Sequence, residues 1–165
     1  MPANKYFRLL IAVAVSELAG VIGGLASLGS LPVWYANLAK PALTPPPGVF
    51  GPVWTALYAT MGIALFLIWQ AHDRAAENPQ LLRRRKIAIG LFFVQLALNS
   101  AWSIIFFGLQ SPGWALVEIL VLWLAIAATA FVFHEISRKA AYLFVPYLLW
   151  VTFAVYLNFS IWALN

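Results

Sequence analysis

Trp54, Tyr58 and Met61 recur at the i, i+4, i+7 spacing that places side chains on one helix face. Two further sets do the same. Asn99, Trp102 and Phe106 share a face, and so do Tyr147, Trp150, Ala154 and Asn158, where the small Ala154 leaves room beside a ring. Aromatic walls with a few polar groups make the kind of cavity that holds a flat, apolar ligand by stacking and hydrogen bonding. The same spacings also serve packing and interhelical hydrogen bonds, so both uses stand at this point.

Other reactive groups are few. Glu17 and Glu118 sit inside apolar runs, where a carboxylate is costly unless it is protonated, hydrogen-bonded or turned to water. The two fall at different depths, which argues against a paired acid–base site. Glu118 is the one placed to meet a ligand, and Glu17 reads as structural. The chain has no cysteine, which excludes disulfides, thiolate metal sites and cysteine nucleophiles. His72 and His134 both end apolar runs at one face, away from the aromatic sets, so neither is placed for iron–histidine ligation among them. No phosphate-binding loop, catalytic serine motif or zinc spacing is present. Neither a metal nor an obligatory cofactor is expected.

The elements that carry these residues follow from composition. Apolar residues make up 64% and charged residues 9% of 165, against about 45–50% and about 25% in soluble domains. A soluble fold this small has nowhere to put so much apolar surface, so the chain reads as an integral membrane protein. Five runs are long enough to cross a hydrocarbon core, which takes ~20 helical residues. They cover Leu9–Leu31, Phe50–Ala71, Ile87–Leu109, Trp114–Phe133 and Ala140–Leu164. Strands do not fit runs of this length that lack alternation. The expected fold is all-α, one domain over residues 1–165, a bundle of five transmembrane helices. Lys5 and Arg8 before the first run resemble a signal peptide. The run's length, Glu17 and the lack of a small-residue cleavage site favour a retained helix.

Charge sets the orientation. Lys5, Arg8, Arg74, Arg83, Arg84, Arg85, Lys86, Arg138 and Lys139 fall on one face, and Lys40 alone on the other. The positive-inside rule makes the first face cytoplasmic, with the N-terminus inside. The net charge of +5 thus reflects topology, and no nucleic-acid partner is implied. Trp34, Trp69, Trp114 and Trp162 lie near span ends and suit an interfacial belt, whereas Trp102, Trp123 and Trp150 lie deeper. Gln110–Gly113 predicts a tight hairpin. The long connection between the first two runs carries KPALTPPPGVFGPVW, with Thr44 as a plausible N-cap and prolines that stiffen the approach to the second helix. Ala12, Ser16, Gly20 and Gly24 form a ladder of small residues, suited either to packing within the bundle or to a dimer seam.

Three segments taken together, VWYANLAKPALTPPPGVFGPVWTALY, ALNSAWSIIFFG and VPYLLWVTFAVYLNF, resemble the translocator protein family, whose bacterial members are called tryptophan-rich sensory proteins. The likeness runs over nearly the whole chain. It implies a five-helix bundle, often a homodimer, with a pocket covered by the loop between helices 1 and 2. It also implies ligands: porphyrins such as protoporphyrin IX, cholesterol, and drugs of the benzodiazepine and isoquinoline-carboxamide types. Tyr35 matches the loop residue that caps the pocket. Trp54 and Tyr58 match pocket positions on the second helix, Asn99 and Trp102 on the third, and Trp150 and Ala154 on the fifth. Pro45, Glu118 and Tyr147 complete the expected ligand-binding set.

The resemblance implies a membrane receptor or sensor for tetrapyrroles, acting in porphyrin regulation or transport. Some bacterial relatives degrade protoporphyrin in light, and the tryptophans matching Trp54 and Trp150 would then be the catalytic pair. A porphyrin or sterol translocator ranks third, because an odd number of spans does not suit an inverted repeat. Sterol binding is expected to be weak or absent. The family's proposed cholesterol motif needs a basic residue after a tyrosine near the end of the last helix, and Tyr156 is followed by LNFSIWALN. A bacterial membrane is the expected location, or the mitochondrial outer membrane for a eukaryotic chain.

Overall fold

A computed structural model describes residues 5–71 and 78–165, so His72 and Arg74 of the basic loop lie outside the described residues. Helix α1 covers Lys5–Ser27, α2 Pro47–Gln70, α3 Pro79–Ser103, α4 Pro112–Ile136, α5 Arg138–Tyr142 and α6 Val145–Leu164. Helix α3 runs on through a π-helical turn, Ile104–Gly108, and α5 with α6 makes up one span. Five spans result, each long and apolar enough to cross a bilayer, and no strand occurs among the described residues. The chain is an all-α, multi-pass membrane protein.

Helix ends follow capping rather than hydropathy. Helix α3 starts at Pro79, well before the apolar run at Ile87, because Asn78 Oδ1 accepts from the N–H groups of Gln80 and Leu81 at 3.0 and 3.2 Å. Pro79 takes the first helical position, where no N–H is needed. The basic residues Arg83 to Lys86 therefore ride on helix, and Arg84 reaches Glu135 of α4 at 3.4 Å. Helix α1 stops at Ser27 rather than Leu31, and the chain tightens through Ser30 into a separate π-helical turn, Leu31–Tyr35. Helix α2 starts at Pro47 behind an extended Pro46. Thr44 is not its N-cap: its hydroxyl donates to the Pro41 carbonyl at 2.8 Å and closes a turn three residues upstream of the helix.

The order around the bundle is first, second, fifth, fourth, third span. Helix α1 packs on α2 and α3, α3 on α4, and α4 on α5 and α6, while α2 closes the ring chiefly against the short α5. Close approach depends on small residues, since lipid tails solvate apolar side chains as well as a protein does. A Cβ on Gly62 would fall 2.5 Å from Val13 Cα and 2.9 Å from the Ala12 carbonyl, so α2 and α1 touch backbone to backbone there. A Cβ on Gly20 would overlap the Tyr58 ring. The small-residue ladder on α1 thus serves packing within the chain at Ala12 and Gly20, whereas Gly24 faces open space.

The two ends of the ring differ. At the basic end, Phe92, Phe133 and Phe144 bury completely and lock α3, α4 and the fifth span, with Phe133 and Phe144 centroids 5.2 Å apart. At the other end α2 and α6 meet through side chains, Trp54 against Tyr147 and Phe50 against Trp150. There the hairpin from α3 to α4 closes with the Ser111 N–H on the Ile105 carbonyl at 3.2 Å and Gln110 at a left-handed φ of 51°. The bond reaches back six positions, one more than the return bond of a Schellman turn, as the wider π-helical turn before it allows.

Candidate functional site

Asn99 on α3 is buried between two tyrosines. Its Oδ1 accepts from the hydroxyl of Tyr58 on α2, and its Nδ2 donates to the hydroxyl of Tyr147 on α6 at 2.9 Å. One amide thereby joins three spans, and each polar group finds a partner, as burial in an apolar bundle demands. Trp54, one turn before Tyr58, stacks on its ring at a centroid distance of 5.6 Å and a tilt of 28°. It also meets Tyr147 edge-on at 6.2 Å. Pro52, inside α2, removes the bond residue 52 would make to the Gly48 carbonyl, two residues before Trp54.

A second cluster lies nearer the hairpin. Trp102 Nε1 donates to Asn158 Oδ1 at 2.9 Å, and Asn158 Nδ2 donates to the Pro112 carbonyl at 2.8 Å. The Trp102 ring stacks on Phe106 at 5.2 Å. Phe106 in turn receives the edges of Trp34 at 5.6 Å and Tyr35 at 6.3 Å, while Tyr35 meets Phe107 at 5.5 Å. The loop between the first two spans is thereby seated on the end of α3, where Ser30 Oγ also donates to the Phe107 carbonyl at 2.5 Å.

That loop is held at its far side too. Asn165 Oδ1 accepts from the Ala39 N–H and Asn165 Nδ2 donates to the Ala39 carbonyl, both at 3.0 Å. The loop therefore reaches from the end of α3 to the end of α6. Lys40 Nζ stands 4.7 Å from the Tyr35 ring centroid, within cation–π range, and donates to the carbonyls of Ala36 and Leu38. Burial pushes the Tyr35 phenol above its ordinary pKa, so it stays a neutral donor. Pro45 is half-buried in the approach to α2.

Trp54, Tyr58, Asn99 and Tyr147 form one connected group, and Tyr35 joins Trp102 through Phe106. Trp150 stands slightly apart, between Phe50 at 5.9 Å and Phe153 at 5.8 Å, and Ala154 packs with it on the common core. Glu118 hydrogen-bonds to neither group, although it lies near enough to Tyr147 to act on it by charge: both carboxyl oxygens are shielded and lack a hydrogen-bond partner, and the residue also borders a groove on the outer side of α3 and α4. Trp123 ties α4 to α6 through Thr152 at 2.8 Å, a packing role. Among the described residues no three His, Asp, Glu or Cys side chains gather as metal ligands do.

Sequence reasoning missed several members. Phe50 faces Trp150 and Phe107 faces Tyr35. Trp34, read as an interfacial anchor, lies against Phe106 instead. Gln95 is fully buried one turn from Asn99, with Nε2 3.8 Å from Met61 Sδ. Its i−4 relation to Asn99 was a signal that it shares the inward face.

These features define a class: a five-span helical membrane protein whose non-basic end gathers aromatic rings around buried amides beneath a clamped loop. The family model for TspO/MBR proteins matches residues 12–163, and the chain belongs to that family. It is 40% identical over 158 residues to the Tryptophan-rich protein TspO of Archaeoglobus fulgidus, covering 94% of this chain and 96% of that one. It is 42% identical over 132 residues to the human Translocator protein, covering 80% and 75%, and 38% identical over 132 residues to the Tryptophan-rich sensory protein of Cereibacter sphaeroides, covering 80% and 77%.

Proposed function

We propose that the chain is a membrane receptor or sensor that binds a tetrapyrrole such as protoporphyrin IX, or another flat apolar ligand, among the aromatic rings of its non-basic end. The observation that carries this reading is the Tyr58–Asn99–Tyr147 chain with Trp54 stacked on it. A planar macrocycle needs broad ring faces and a few donors at its edge, and this group supplies both. The helices are also easiest to part here, because α2 and α6 meet through ring contacts rather than close-packed backbone. Tyr35, Pro45, Trp102, Trp150 and Ala154 would complete the wall. Benzodiazepine-type drugs suit the same chemistry.

Titrating protoporphyrin IX into the protein in nanodiscs, and following tryptophan quenching, tests the assignment. Trp150→Ala should weaken binding about tenfold or more, since a ring stacking on a base or macrocycle is worth ~1–3 kcal/mol. Unchanged affinity would remove Trp150 from the wall.

A second reading is light-dependent porphyrin breakdown, supported by the contiguity of Trp54, Tyr58 and Tyr147, three oxidisable rings in contact. Trp54 and Trp150 would be the electron partners of the excited macrocycle. Illuminating the complex in air and recording porphyrin absorbance separates the readings. Loss that needs the protein and stops in Trp54→Phe or Trp150→Phe favours catalysis. Translocation would instead appear as flux across sealed vesicles.

A further inference from the structure

Lys40 is the only lysine or arginine among the described residues at the non-basic end, in the loop outside the spans. The residues on either side of it are tied down. Asn165 clamps the N–H and carbonyl of Ala39. The Pro41 carbonyl accepts from both the N–H and the hydroxyl of Thr44, at 3.0 and 2.8 Å. The Lys40 side chain is half-buried and folds back over the Tyr35 ring, 4.7 Å from its centroid. A lysine on an open loop is usually free to swing, and ordering it costs entropy. This one starts in place, so a partner that binds it meets little of that cost.

The ammonium group donates to the carbonyls of Ala36 and Leu38, at 3.2 and 3.0 Å, which leaves one N–H for a further acceptor. Neutral carbonyls and a ring do not cancel its charge. Lys40 makes no ion pair: the only one among the described residues joins Arg84 to Glu135 at the opposite end. Tyr35 links this cation to the interior, since its ring meets Phe106, on which the Trp102 ring stacks. The aromatic group therefore has an uncompensated positive charge at its outer edge, beyond the spans. A ligand that is flat and apolar over most of its area and anionic at one edge matches that polarity.

We propose that Lys40 is a specificity-determining residue of this site: it takes an edge carboxylate of the ligand, a propionate in the case of protoporphyrin IX, while the rings hold the macrocycle. The inference rests on the tetrapyrrole reading above and names the group that recognises the ligand's charge. A contact between charged partners at a half-buried position is stronger than one in open water. The site thus favours tetrapyrrole acids over their neutral esters, and neutral drugs of the benzodiazepine type gain nothing from Lys40.

The test titrates protoporphyrin IX and its dimethyl ester into the whole protein in phosphatidylcholine nanodiscs, followed by tryptophan quenching. Lys40→Gln, which keeps a donor for the loop carbonyls, should weaken binding of the acid by roughly three- to tenfold, between an exposed ion pair and a charge-assisted hydrogen bond. Binding of the ester should not change. Lys40→Arg should behave as the wild type. Raising salt from about 50 to about 500 mM should weaken the acid and not the ester in the wild type. That measurement decides the matter even if Lys40→Gln does not fold. An equal loss for acid and ester would make Lys40 a loop-positioning residue and overturn the proposal. So would an undiminished affinity for the acid in Lys40→Gln, or a wild-type affinity for the acid that ignores salt. Failure of the wild type to bind either ligand would remove the tetrapyrrole reading itself, and this inference with it.

Discussion

Asn165 pairs both atoms of its side-chain amide with the backbone of Ala39, so the end of α6 holds the loop between the first two spans as a β-ladder partner would. The pair is exposed, and exposed hydrogen bonds contribute only about 0.5–1.5 kcal/mol. Asn165→Ala should therefore leave the global unfolding temperature nearly unchanged. Hydrogen exchange at Ala39 and its neighbours should rise about tenfold, since a lost clamp of that size changes local opening and little else. Unchanged exchange would mean that the Ser30 bond to Phe107 and the Trp34 and Tyr35 ring contacts hold the loop without Asn165.

Asn99 is the opposite case, because it is buried and satisfies two hydroxyls at once. Asn99→Leu should destabilise the protein in detergent by about 1–3 kcal/mol, the cost of leaving buried donors unmade. Tyr58→Phe in the same background should recover part of that loss by removing one orphaned hydroxyl. Strict additivity of the two changes would show that the hydroxyls find other partners.

Gly62 and Gly24 separate contact from flexibility. Gly62→Ala presses a methyl group onto the α1 backbone at Val13, and overpacking of this kind costs about 1–3 kcal/mol. Gly24→Ala meets nothing within 4 Å and should be neutral or stabilising by up to ~1 kcal/mol through helix propensity. Thermal unfolding of the two variants side by side checks both. Equal effects would mean that α1 can shift along α2 at little cost.

Gln110 holds a left-handed backbone without being glycine. The strain is worth roughly 1–2 kcal/mol for an L-residue, so Gln110→Gly should raise the unfolding temperature by a few degrees. A fall would show that the Gln110 side chain makes compensating contacts.

The five spans were legible because lipid imposes one length and one backbone solution on anything that crosses it. The inward facing of Asn99 and Asn158 was legible for a related reason: an amide in a span seeks the interior. Span ends were not. Hydropathy marks where side chains prefer lipid, whereas a helix ends where its backbone bonds are capped, and Asn78-Pro79 carries α3 far past its apolar run. Thr44 misled because a threonine near a helix start serves equally well to close a turn, and the extended Pro46 placed the start beyond its reach. Gly62 and Asn165 gave no periodic signal. Each acquires its role only from a neighbour distant in sequence, Val13 in one case and Ala39 in the other.

The order of spans around the ring has a biosynthetic consequence. Spans enter the membrane as they are made, yet α2 has its second neighbour in the last one. Until that span arrives, Tyr58 and Asn99 lack Tyr147, Trp102 lacks Asn158, and one flank of α2 faces lipid. The nascent chain must therefore wait with an open seam, and the same late step that seals the bundle also assembles the aromatic group within it.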